Sequence, residues 1–139
     1  MLPPGFEMST DRNRIDVGLV HTFLSHSYWA QGRTRTVVER SIENSICFGV
    51  YGPTGQVAFA RVITDRAVFA YLADVFVVPE FRGRGISKAL VGAVLEHPAV
   101  QELKVVLLRT RDAHALYSQF GFQPIAAPSE MMALYPRSG

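Results

Sequence analysis

"VVPEFRGRGISKALVGAVLEHP", residues 77–98, joins an apolar run to an apolar-periodic segment through Arg82, Gly83, Arg84, Gly85, Ile86 and Ser87. From Ile86 onward Ile86, Ala89, Leu90, Ala93 and Val94 follow i, i+3, i+4, i+7, i+8 spacing, the stripe of an amphipathic helix that Pro98 closes. Upstream, VFAYLADVFVV (68–78) reads as a long strand stopped by Pro79. Glycine inside a helix costs about 1 kcal/mol relative to alanine, so Gly85, where the periodic segment begins, needs a compensating use. A strand, a glycine turn and a helix start in direct succession point backbone N–H groups outward at the positive end of a helix dipole, which is how main chain holds an anion. Arg82 and Arg84 bring side-chain charge to the same place. The expected ligand group is a diphosphate.

Two familiar phosphate motifs do not fit these letters. A dinucleotide fingerprint needs a third glycine where Lys88 stands, and a parallel sheet where the upstream strands form hairpins. A nucleotide-triphosphate loop needs Gly-Lys followed by a hydroxyl residue after a four-residue gap, which this stretch lacks.

Outward from this turn, ICFGVY (46–51) and VAFARVI (57–63) flank Gly52-Pro53-Thr54-Gly55, a hairpin pattern, and a second turn at 64–66 leads into the strand at 68–78. Ile15, Leu19, Val20, Phe23 and Leu24 predict a first helix over about 16–25, and Val37, Val38, Ser41, Ile42 and Ser45 share one side of a second. Beyond Pro98 the pattern predicts a strand over about 103–108, a helix over about 112–120 ended by Gly121, and short strands over 122–125 and 131–135. One globular domain, 1–139, is expected from 139 residues with 48% hydrophobic and 19% charged content.

Fourteen basic against twelve acidic residues give a net charge of +2 with no basic block, so nucleic acid is not an expected partner. The lone cysteine, Cys47, sits between Ile46 and Phe48, which suits a buried thiol in a reducing compartment and excludes an internal disulfide framework. No apolar run approaches the ~20 residues of a membrane span. The start MLPPGFEMSTD lacks a basic stretch followed by an apolar one, so neither membrane partner nor export is expected and the location is expected to be cytoplasmic. His21, His26 and His97 have no metal-ligand spacing, so no metal is expected.

The hexapeptide Arg82-Gly83-Arg84-Gly85-Ile86-Ser87 resembles the signature of the GNAT superfamily of coenzyme-A-dependent N-acetyltransferases, with Ser87 in place of the usual Gly or Ala. Val75-Phe76-Val77-Val78-Pro79 looks like that family's central strand, and Ala113, Leu116, Tyr117, Gly121 and Phe122 look like its later helix, so the similarity spans roughly 15–135. The resemblance implies an α+β fold, a mixed and mostly antiparallel sheet of about six to seven strands flanked by about four helices and splayed between the fourth and fifth strands. It implies an acyl-CoA-dependent N-acyltransferase, acetyl-CoA as co-substrate, and direct attack by a primary amine in a ternary complex.

Carried over residue by residue, the resemblance places backbone groups of Phe76, Val77 and Val78 along the pantetheine arm, and an N–H near Phe76 or Val77 at the thioester carbonyl. Main chain from Gly83 through Arg84, Gly85, Ile86 and Ser87 to Lys88, with Arg82 beside it, would hold the diphosphate. Tyr117 matches the tyrosine that protonates the departing thiolate. Thr110 stands where the family often has a cofactor-contacting asparagine, and alternatively caps the following helix. His114 lies one helical turn before Tyr117.

Asp74, an ionisable residue in a strand this apolar, is the candidate general base; its competing roles are a structural hydrogen bond or attraction of a cationic acceptor. Tyr28 and Trp29 either floor an acceptor pocket or pack between helices, and Tyr71 either lines the acceptor side or packs in the core. The expected partner is a small-molecule or peptide amine, and edge strands near the C-terminus either pair between subunits as a homodimer or are capped. The alternative function is an acetyl-CoA-binding sensor or regulatory module without turnover.

Overall fold

The computed structural model describes residues 1–136. They fall into two compact units, Met1–Arg109 and a second that begins at Thr110. In the first unit a short strand β1 (Glu7–Ser9) precedes helices α1 (Val17–Ser25) and α2 (Arg35–Glu43), strands β2 (Ile46–Gly52), β3 (Gly55–Thr64) and β4 (Phe69–Val77), helix α3 (Ile86–Glu96) and strand β5 (Val105–Leu107). The second carries α4 (His114–Ser118) and a single 3-10 turn at Pro128–Glu130.

Local chemistry sets the boundaries. The Asp16 carboxylate accepts the Leu19 N–H at 3.0 Å and starts α1; the Thr34 hydroxyl accepts the Val37 N–H at 3.3 Å and starts α2. Asp65 Oδ1 accepts the N–H groups of Ala67, Val68 and Phe69, which fixes the turn into β4 and holds the carboxyl below its ordinary range.

The strands form one sheet in the order β1-β2-β3-β4-β5, antiparallel up to β4 and parallel between β4 and β5. Side chains of α1 and α2 pack with Cys47, Phe59 and Phe76 in one cluster that includes Val20, Leu24, Val38 and Ile42. Phe48, next to Cys47 and so turned to the other face, meets the His97 ring at the end of α3 at 5.6 Å. The apolar stripe of α3, with Ile86, Leu90, Val91 and Val94 buried, covers that second face. Burying side chains of this size stabilises by roughly 1.5–3 kcal/mol each.

Two irregularities in β4 shape everything downstream. Pairing with β3 runs from Phe59↔Phe76 directly to Arg61↔Ala73, so Asp74 and Val75 together oppose Ala60: a β-bulge. Asp74 carries it with φ of +56°, a conformation that aspartate tolerates better than most residues. Pairing with β5 is limited to Phe69↔Val105, Ala70↔Val106 and Tyr71↔Leu107, so from Leu72 onward β4 parts from its neighbour.

The sheet has five strands among the described residues, not six to seven. Residues 122–125 and 131–135 form no strand. Pro124 lacks an amide donor and Pro128 opens a 3-10 turn, so alternating apolar letters there do not become a ladder. The strand that sequence reading missed, β1, is three residues long and two of them, Glu7 and Ser9, are polar.

Candidate active site

Pro79–Phe81 makes one 3-10 turn after β4, and the chain then reaches α3 through Gly83 and Gly85, both at φ +78°. A Cβ at either position would meet nothing within 4 Å. Glycine is therefore required by left-handed backbone and not by crowding, and the space outside the turn is open. Gly85 is the N-cap and gives α3 no side-chain cap; the helical ladder begins with the Ala89 N–H on the Gly85 carbonyl at 3.1 Å. The N–H groups of Ile86, Ser87 and Lys88 therefore have no acceptor within the helix. Arg82 and Arg84 immediately precede them in sequence, the latter with its guanidinium 5.1 Å from the Phe81 ring centroid. Three convergent amides at a positive helix end, with an arginine on each side of Gly83, fit a diphosphate.

The end of β4 leads into this turn. Successive residues of an antiparallel ladder turn their N–H and C=O to opposite edges. The Val78 N–H donates to the Val57 carbonyl at 2.8 Å, toward β3. Val77 accordingly faces the edge from which β5 has parted, and there the Arg82 Nε donates to its carbonyl at 3.0 Å. Of Phe76, Val77 and Val78, Val77 is thus the residue whose backbone addresses the opening, while the Val78 amide is already engaged.

At the bulge, the Asp74 side chain is only 2% exposed and receives three donors. Trp29 Nε1 reaches Oδ1 at 2.9 Å, and Arg33 Nη1 and Arg61 Nε reach Oδ2 at 2.8 and 2.6 Å. Arg61 also donates from Nη1 to Ser45 Oγ at 3.2 Å. The Trp29 ring stands edge-on to Tyr28 at 5.1 Å, and both residues are exposed. Tyr71 is half-buried on β4 with Ile63 and Leu107 as its cross-strand partners.

Asp74 and Trp29 are thus brought together, joined by Arg33 and Arg61, which sequence reasoning passed over. Arg61 had a legible signal: a charge inside VAFARVI is as anomalous as the one inside LADVFV. Arg33 had none, because its partner lies 41 positions away.

In the second unit, Tyr117 is a buried residue of α4 with its ring edge-on to Phe122 at 5.8 Å. Thr110 Oγ1 accepts the Ala113 N–H at 3.0 Å, so this threonine caps the approach to α4. Cys47 is buried in the cluster under α1 and α2, and burial pushes its thiol up to about 11 against the opposing pull of Arg12 and Arg61. Among the described residues no group of three His, Cys, Asp or Glu side chains is placed to hold a metal ion, and no helix is long and apolar enough to cross a membrane.

Comparison with known proteins identifies the family of the chain. The family profile of the acetyltransferase (GNAT) domain matches residues 43–124, which include Asp74, the glycine turn and Tyr117. A protein of Gibberella zeae assigned as an acetyltransferase is 30% identical over 135 residues, covering 81% of this chain and 75% of its own. A crystal structure from Xanthomonas campestris pv. campestris, assigned as a GNAT-family acetyltransferase, shares 48% identity with a TM-score of 0.93, covering 98% of this chain and 96% of that one. A Staphylococcus aureus structure assigned as an acetyltransferase shares the fold at 18% identity and a TM-score of 0.77, over 96% and 99% of the two chains. By the profile match and by relatives alike over most of its length, the chain belongs to the GNAT family of acetyltransferases.

Proposed function

We propose that this chain is an N-acetyltransferase that passes an acetyl group from acetyl-CoA to a primary amine by direct attack in a ternary complex. The supporting observation is the uncapped start of α3, where the amides of Ile86, Ser87 and Lys88 follow two left-handed glycines and meet open space. Family membership supports the same co-substrate, since GNAT proteins typically use acetyl-CoA.

When bound, acetyl-CoA supplies an acyl carbon already activated as a thioester. In this reading the α3 amides with Arg82 and Arg84 hold its diphosphate, and Val77, the backbone that faces the parting of β4 from β5, aligns the arm as an added strand would. An N–H on that edge polarises a carbonyl by hydrogen bonding in a water-poor setting. Tyr117 donates the proton that the leaving thiolate needs, a task suited to a phenol of ordinary pKa about 10.

Asp74 enters as a positioning residue. Its two oxygens accept from an indole and two guanidiniums, and taking a proton from the amine would break those pairs. It holds Trp29 and Arg33 at the acceptor side. A lysine-like amine, about 3.4 pKa units above pH 7, then loses its proton to solvent, at a cost of about 4.6 kcal/mol. No enzyme thiol carries the acyl group: Cys47 is buried and its thiol stays protonated at neutral pH.

Calorimetric titration with acetyl-CoA and a thiol-release assay over a panel of primary amines test this reading. Saturable binding with turnover of at least one amine is expected. Binding without turnover on any amine would make the chain a sensor module, and absence of binding would remove the co-substrate.

A further inference from the structure

Around Asp74 one negative charge faces two positive ones. Arg33 and Arg61 both donate to its Oδ2, and Arg12 joins the same cluster through Ser45, whose carbonyl accepts Arg12 Nη2 at 3.1 Å while its hydroxyl accepts Arg61. Two of these guanidiniums are committed. Arg61 bridges Asp74 and Ser45 with its side chain 12% exposed, and Arg12 ties down the end of α2 through the Ile42 and Ser45 carbonyls.

Arg33 differs. Its side chain is 21% exposed, and among the described residues the one hydrogen-bond partner of that side chain is Asp74, through Nη1. Nε and Nη2 remain, the half of the fork that grips a carboxylate with two parallel bonds. Asp74 fixes this fork from behind, so it is pre-organised without being neutralised. The exposed Trp29 shares the Asp74 carboxylate with it, and the exposed Tyr28 ring stands edge-on to Trp29. In sequence Asp74 sits three residues before Val77, about 10 Å of extended chain from the backbone that faces the open edge.

We propose that the acceptor amine carries a carboxylate, as an amino acid does, and that Arg33 reads it. This rests on the acyl-transfer reading above. The surplus positive charge disfavours acceptors with a second cationic group. It also disfavours the ammonium form of the acceptor and so helps supply the neutral amine that attack requires. A carboxylate offers planar geometry matched to the fork, and a phosphate monoester is the competing source of negative charge.

The test is calorimetric binding of acetylated products to the full-length protein, which avoids differences in amine ionisation. N-acetylglycine, N-acetylphenylalanine and N-acetylglutamate are each compared with the corresponding carboxamide, and N-acetylated phosphoethanolamine with N-acetylethanolamine. At least one acid is expected to bind about tenfold more tightly than its amide, the ratio equivalent to ~1.4 kcal/mol. Arg33→Gln should bring that ratio to about one, and Arg33→Lys should keep part of it. A purely structural Arg33 would weaken acid and amide alike, leaving the ratio in place. Equal binding of every pair, a ratio that survives Arg33→Gln, or a preference confined to the phosphate pair overturns the proposal. Should Arg33→Gln not fold, the wild-type ratio and the Arg33→Lys ratio decide. Acid selectivity in a protein that does not bind acetyl-CoA would keep the Arg33 site and overturn the acyl-transfer reading instead.

Discussion

Arg61 Nε and Asp74 Oδ2 meet at 2.6 Å between neighbouring strands, at the step where β4 has one residue more than β3. The contact joins two charges that would each be costly alone in this interior, and it recruits Arg33 and Trp29 from the loop after α1.

Removing the carboxylate should therefore be expensive. Asp74→Ala strands two guanidiniums and places alanine at φ +56°, and it is expected to cost about 3–5 kcal/mol. Asp74→Asn keeps an oxygen for Trp29 and a residue at home in left-handed backbone, so it should cost less. Urea unfolding of both variants measures this; an alanine variant within 1 kcal/mol of wild type would show the network to be worth little.

Gly85 separates folding from binding. Alanine there meets no neighbour and suffers only the left-handed backbone, about 1 kcal/mol, so Gly85→Ala and Gly85→Glu should both fold. Glutamate adds bulk and negative charge where the diphosphate is proposed to lie, and acetyl-CoA affinity should fall at least about tenfold. Unchanged affinity in folded Gly85→Glu would take the α3 amides out of the site.

The glycine turn was legible because its cause is local: two residues that tolerate positive φ stand immediately before an apolar stripe. The oddness of Asp74 was legible too, since a charge in LADVFV violates the composition of a buried strand. Its partners were not, because Trp29 and Arg33 come from 45 and 41 positions away and only the folded sheet brings them in. At the other end of the chain, residues 131–135 have strand-like letters, but a strand needs a partner edge that letters alone do not supply.

Tyr117→Phe removes one oxygen and leaves the ring contact with Phe122 in place. In the role proposed for it, proton donor to the leaving thiolate, its loss should lower kcat about 10²-fold or more, with acetyl-CoA still binding in calorimetry. A kcat within twofold of wild type would move the acid role elsewhere.

Cys47→Ala should retain turnover, because the reaction as proposed needs no thiol; loss of turnover in a folded variant would reopen a covalent route. The native thiol should react slowly with iodoacetamide at pH 8, since burial raises it from 9.0 to about 11. The sign for stability follows. Well below pH 9 the thiol is neutral in both states and contributes no pH dependence. Between about 9 and 11 the unfolded chain ionises first, so stability falls as pH rises; because burial raises Tyr51 as well, the Cys47 share is the part of the loss between pH 8 and pH 10.5 that Cys47→Ala removes.

The additional residue in β4 couples two properties that would otherwise vary independently. The same strand carries, beyond its last pair with β5, the bulge whose carboxylate clamps the loop bearing Trp29 and Arg33. Deleting Asp74 or Val75 would restore a regular ladder in which one residue opposes Ala60 and Phe76 stays opposite Phe59, so the fold would keep its faces and lose the clamp. The anchorage of that loop thus depends on the length of β4 as much as on which side chain stands at position 74.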